Sequence, residues 1–329
     1  AGDAQTDTVA RMLPDSLAVE VKLTDGRPVV GARVRWSTGT GSGSARDSVS
    51  ITSITGRASN RWILGTTAGG QSLIAGVAGL SSLTFSATAL PGAAAALVIR
   101  SGQGQSATVA SAVSTAPAVN VHDAYGNAVA GMVVTFVVAS GGGTVTGSAD
   151  TTGSDGIAAV GSWTLGTTAG TNSLTATVTG LTSVVFAATG SAGPASAVTL
   201  TAGNNQSQQV AALLDVAPSV KVTDSYGNGV PSISVTFSVA SGGGVITDSA
   251  KTTDSTGVAA VGGWRLGINP GGNTLTAAIT GLPHTTVSAQ GLPLVFASVT
   301  TGWRNSCGVT STGVMYCWGR YSSDRKSVV

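Results

Sequence analysis

The first 306 residues contain no cysteine, and the chain's two cysteines, Cys307 and Cys317, lie close to its end. This excludes a disulfide scaffold or a thiolate metal cage for most of the chain. Charge is scarce as well. Only 9% of the 329 residues are Asp, Glu, Lys or Arg, against about 25% in an ordinary soluble domain. The net charge of +2 gives no electrostatic basis for binding nucleic acid. There are two histidines, His122 and His284, and one glutamate, Glu20. No carboxylate pair or nucleophile–base pair stands out, and both histidines read as exposed loop residues. "SGGGT" at Ser140 lacks the Lys-Ser/Thr of a phosphate loop. The longest apolar run, Ala93 to Ile99, is far short of the ~20 residues of a membrane-spanning helix, and no signal peptide opens the chain. No cofactor, metal or catalytic residue is expected.

What is abundant is glycine, 47 residues, together with Ser, Thr and Val in a chain that is 42% apolar. Such a composition favours short strands separated by turns. Trp62, Trp163 and Trp264 lie 101 residues apart, inside the related stretches "RWILGTTAGGQSLIAG", "SWTLGTTAGTNSLTAT" and "GWRLGINPGGNTLTAA". A period near 100 is too long for a solenoid unit and fits a whole small domain, repeated three times.

Within each copy the apolar period is 2. Ile233, Val235, Phe237 and Val239 alternate with polar residues, as do Met132, Val134, Phe136 and Val138, and as Ala32, Val34 and Trp36 do in the first copy. Each copy therefore reads as about seven short strands in an all-β sandwich of immunoglobulin type. Trp62, Trp163, Trp264, Trp36, Phe136 and Phe237 are its expected core. The boundaries fall at 1–91, 92–193, 194–293 and 294–329, with proline at each join (Pro91, Pro194, Pro293) to stiffen it. Ala1 aligns with Ser101, so the first copy is expected to lack its initial strand and to expose a sheet edge.

"VHDAYGNAVAGMVVTF" (Val121 to Phe136) and "VTDSYGNGVPSISVTF" (Val222 to Phe237) share a phrase, D-x-Y-G-N followed by V-T-F. The phrase resembles that of bacterial immunoglobulin-like domains of group 1, found in invasin- and intimin-like proteins, over roughly residues 1–293. The first copy departs from it, with Leu23 and Thr24 in place of the Asp and its neighbour and Arg27 in place of the Asn. Asp123, Gly126 and Asn127, with Asp224, Gly227 and Asn228, read as a turn. In that turn the glycine takes positive φ, the Asn tolerates it, and the Asp caps downstream amides. The other reading is a calcium site at a domain junction. Against it, the nearby acids do not recur: Asp150 becomes Lys251 and Asp155 becomes Thr256.

After Pro293 the pattern changes. "VTTGWRNSCGVTSTGVMYCWGR" resembles one repeat of the regulator-of-chromosome-condensation type β-propeller, and implies the start of a blade in a protein that continues beyond Val329. The tail "SSDRKSVV" fits neither pattern. Cys307 and Cys317 face each other if the strands turn about Thr312, close enough for a disulfide. The competing reading is two reduced thiols.

These features, with the resemblance, imply a non-catalytic stalk that is secreted or held at the cell surface. It would present a distal domain and contact an unknown protein or polysaccharide in adhesion. The alternatives are a spacer or polysaccharide-binding array of a large extracellular enzyme, and a presentation module for a ligand-binding propeller.

Overall fold

The computed structural model describes residues 1–303, 305–310 and 313–319, and every regular element among them is a β-strand. The chain forms two compact units, Ala1–Ser191 and Ala192–Val329, the second described through Gly319.

The first unit holds two separate hydrophobic cores. Around the second of these, a three-stranded sheet runs in the order Ala94–Ser101, Ala118–Asp123, Ile157–Ala159. It faces a five-stranded sheet ordered Gln105–Thr108, Val184–Ser191, Gly170–Thr177, Val133–Ser140, Ala149–Thr151. The strands obey the alternation of their sequence. In Val133–Ser140, Val134 and Phe136 are sealed in the core, while Val133 and Thr135 face solvent. Trp163 is fully buried between the sheets with Phe136, Leu174 and Phe186. Truncating such a side chain to alanine costs about 3–5 kcal/mol.

Turn chemistry ends the strands. Gly141, Gly142 and Gly143 all have positive φ (82°, 75° and 88°), which few other residues adopt, so Val133–Ser140 stops there. Gly166 closes the W-x-L-G phrase for a different reason. A Cβ there would collide with the main-chain oxygen of Gly141, and the same close approach recurs at Gly65 and Gly267.

The first core is built alike around Trp62, with Trp36 tilted against Phe85 at a ring separation of 6.0 Å. The second unit holds a third core around Trp264 and Phe237, between sheets whose strand order matches that of the second. It also holds a three-stranded sheet, Phe296–Thr301, Asn305–Thr310 and Met315–Gly319. The sequence pointed there to a hairpin alone. The added strand arises because Phe296 seats on Gly308, where a Cβ would meet the ring, and against Trp318 and Tyr316 at 5.3 and 6.0 Å. Ser311 and Thr312 of the expected bend, and residues 320–329 of the tail, lie outside the described residues.

Candidate functional site

Asp123 ends the strand Ala118–Asp123 and is buried. Its Oδ1 accepts the N–H groups of Tyr125 at 2.8 Å and Asn127 at 2.9 Å, which closes the turn. Its Oδ2 accepts the N–H of Gly92 at 2.7 Å and the Nδ2 of Asn127 at 2.8 Å. Gly92 belongs to the link between the two sandwiches of the first unit, so one carboxylate ties the turn to the link. Gly126 takes φ of 86° with open space around it.

Asn127 does not have positive φ. The sequence reading assigned it a backbone role, and this is corrected: its side chain is what the turn uses. Nδ2 also donates to the carbonyl of Thr66 at 2.8 Å, and Oδ1 accepts the N–H of Ala68 at 2.8 Å. Thr66 and Ala68 lie on the loop that follows Trp62 in the first sandwich. That loop is held from behind by buried Gln71, whose Oε1 accepts Gly65 N–H and whose Nε2 donates to Thr67 O, both at 2.8 Å. An unbroken polar chain thus runs from Gln71 through the loop and Asn127 to Asp123 and Gly92.

Burial pushes the Asp123 carboxyl up. The Asn127 amide and the N–H groups of Gly92, Asn127 and Tyr125 outweigh it and hold the pKa down to about 2. The four donors also decide against a cation at this carboxylate, because its oxygens already face N–H hydrogens rather than open space. Among the described residues no group of three or more His, Cys, Asp or Glu could hold a metal ion.

In the second unit, Asp224 repeats the pattern. It accepts from Tyr226, Asn228 (main chain and Nδ2) and Gly193 at 2.8–2.9 Å, and the net effect of burial against these donors again lowers its pKa. Gly227 has φ of 86°. In the first sandwich the corresponding turn holds an Asp25–Arg27 pair on the surface instead.

The other residues singled out from sequence are distributed as follows. Trp62, Trp163, Trp264, Phe136 and Phe237 are fully or almost fully buried, and Trp36 is 5% exposed. The indole N–H of Trp62 donates to Ser42 O at 2.7 Å, whereas those of Trp163 and Trp264 find no acceptor. Cys307 lies opposite Cys317 with Cα atoms 4.0 Å apart and the sulfurs bonded. His284 sits in an exposed loop, but His122 does not: it is half-buried within Ala118–Asp123, where the ladder needs a residue at that register.

Tandem immunoglobulin-type sandwiches without an inter-sheet cystine, followed by a small aromatic-centred sheet, define the architectural class. Residues 296–324 match the family of the regulator of chromosome condensation (RCC1) repeat. Among solved structures, the chain is similar to the Escherichia coli adhesin FdeC, with 21% identity over 88% of this chain and 95% of that one and a TM-score of 0.53. It is also similar to InvD of Yersinia pseudotuberculosis, with 15% identity over 97% and 96% and a TM-score of 0.48. The likeness to FdeC is one of fold. No curated protein matches this chain.

Proposed function

We propose that this chain is a non-catalytic stalk segment, outside the cell or at its surface, that presents a distal domain and serves adhesion. The observation that carries this reading is the Asn127 side chain bonded to the neighbouring sandwich at Thr66 and Ala68. A stalk needs joints that hold their angle, and side-chain bonds backed by a buried Gln71 do this where a bare linker would not. The fold shared with the adhesin FdeC supports the same direction. Its partner would be a protein or polysaccharide at the cell surface, and no cofactor is called for. No helix among the described residues is long and apolar enough to cross a membrane. The match of residues 296–324 to a propeller-type repeat favours a propeller as the presented domain.

The test uses spin labels on cysteines placed at exposed Thr88 and Thr135, either side of the joint. A narrow distance distribution in the full chain, broadened by Asn127→Ala, supports the stalk. A distribution already broad in the unaltered protein refutes it. Turnover in a hydrolase screen that is lost on changing His122 or His284 would refute it from the other side.

A further inference from the structure

The large sheet of the first sandwich runs in the order Gln5–Thr8, Leu83–Leu90, Gly69–Gly76, Arg33–Thr38, Val49–Ile51. In Arg33–Thr38, Val34 and Trp36 are in the core, so Arg33 and Arg35 are both exposed on the outer face. Two residues apart on one strand, they stand about 7 Å from each other. On one side Arg33 lies opposite Ile51 and Arg35 opposite Val49. On the other, Arg35 lies opposite Gly76, where a Cβ would meet nothing within 4 Å. The fold does not need these charges. The equivalent pairs are Val133 and Thr135 in the second sandwich and Ser234 and Thr236 in the third, with Thr177 and Ala278 in the place of Gly76.

The charges are not neutralised either. The ion pairs among the described residues are Lys22–Glu20, Arg27–Asp25 and Lys251–Asp248, and neither Arg33 nor Arg35 enters one. The outward residues of Gly69–Gly76 and Leu83–Leu90 are small, hydroxylated or aliphatic, and none is acidic. Across the sheet from Ser37 come Ile74 and then Thr84. Asp3 reaches the sheet at Ser86, whose partner Ser72 lies four residues along its strand from Gly76. Asp47, two residues ahead of Val49, has its main chain bonded to the side chain of buried Asn60. Two guanidinium groups thus share an open face with hydroxyl groups and a bare glycine.

We propose that this face is a docking surface for an acidic polysaccharide built of uronate sugars. The planar guanidinium forks of Arg33 and Arg35 match ring carboxylates, Ser37 and Thr84 offer hydroxyls to the sugar hydroxyls, and the chain passes over Gly76. Charge complementarity selects an anionic partner. A polysaccharide suits the face better than an acidic peptide, because Arg33–Thr38 is already paired on both sides and offers no main-chain ladder for a peptide to join. The proposal rests on the adhesive role proposed above by naming a partner for it. The two fail separately, because the joint at Asn127 uses neither arginine.

The experiment titrates the intact chain with hexagalacturonate, reading affinity by calorimetry and location by amide chemical shifts. Shifts should centre on Arg33, Arg35 and Gly76, and added salt should weaken binding. Arg33→Ser combined with Arg35→Thr gives this strand the residues of the third sandwich and should weaken binding about tenfold or more. Gly76→Thr, which fills the gap with the residue of the second sandwich, should weaken it by about threefold. Arg46→Ser combined with Arg61→Ser removes the same charge elsewhere in the first sandwich and should leave affinity unchanged. Uncharged maltohexaose should not bind. No binding of hexagalacturonate, shifts centred elsewhere, or equal losses from the two arginine pairs would overturn the proposal. Equal affinity for hexaglutamate would overturn it by making the partner an acidic peptide. Failure of hexagalacturonate to bind while the spin-label distances across the joint stay narrow would remove the partner and leave the stalk.

Discussion

The side chain of Asn127 and the main chain of Ala68 meet at 2.8 Å although they belong to different hydrophobic cores. Replacing Asn127 by alanine removes both cross-joint bonds and the Nδ2 bond to Asp123 Oδ2, and leaves Thr66 O and Ala68 N–H to water. The expected loss is about 1–2 kcal/mol. Faster hydrogen exchange at Ala68, with both cores still folded, is the readout. Unchanged exchange at Ala68 would mean that the bond does not hold the joint.

Asp123 makes the joint acid-sensitive in a defined direction. Its folded pKa, about 2, lies below the unfolded value near 3.9, so its contribution is fully present above that value. The contribution, on the order of 2 kcal/mol, fades as pH falls from 4 through 2. Asp224 is shifted in the same direction. Urea midpoints measured from pH 6 to pH 2 should drop more steeply for the wild type than for Asp123→Asn, which starts lower and runs flatter. Parallel curves would assign the acid sensitivity to other groups.

The three core tryptophans should respond unequally to phenylalanine. Trp62→Phe leaves the Ser42 carbonyl without its donor, while Trp163→Phe and Trp264→Phe each remove a buried N–H that had no acceptor. The first substitution should therefore cost about 1 kcal/mol more than either of the others in chemical denaturation. An equal cost at all three positions would show that the Ser42 bond contributes nothing net.

Two glycines test close approach against mere turn preference. At Gly166 a Cβ strikes the main chain of Gly141, so Gly166→Ala should destabilise the second sandwich by several kcal/mol, on the order of 2–4. At Gly272 there is nothing within 4 Å and no positive φ, so Gly272→Ala should be neutral within about 0.5 kcal/mol. Thermal melts of the two variants decide between these outcomes.

The sandwich fold was legible because its signals are local or periodic. Alternation marks Val134 and Phe136 as inward-facing, and the spacing of Trp62, Trp163 and Trp264 exposes the repeat. The joint was only half legible. The link from Asp123 to Tyr125 and Asn127 spans two to four residues, which a turn motif encodes. The link from Asn127 to Thr66 and Ala68 spans about 60 residues and depends on how two folded bodies meet, for which no sequence period exists. His122 was misplaced because a polar residue next to a turn phrase reads as loop, although the ladder runs one residue further, to Asp123. The third strand of the last sheet was missed because the aromatic contact that recruits Phe296 comes from residues 20 and more positions away.

In each sandwich a short strand near the start runs parallel to the last one: Gln5–Thr8 beside Leu83–Leu90, Gln105–Thr108 beside Val184–Ser191, and Gln206–Gln209 beside Thr285–Leu292. Tension between the two ends of a sandwich draws these strands along their common axis in opposite directions. Their hydrogen bonds are then loaded together in shear instead of being opened one at a time, as they would be in a hairpin pulled from its open end. The same four-residue ladder that looks slight in a list of contacts becomes a mechanical clasp, and its strength is set by a rate of rupture under load rather than by an equilibrium free energy.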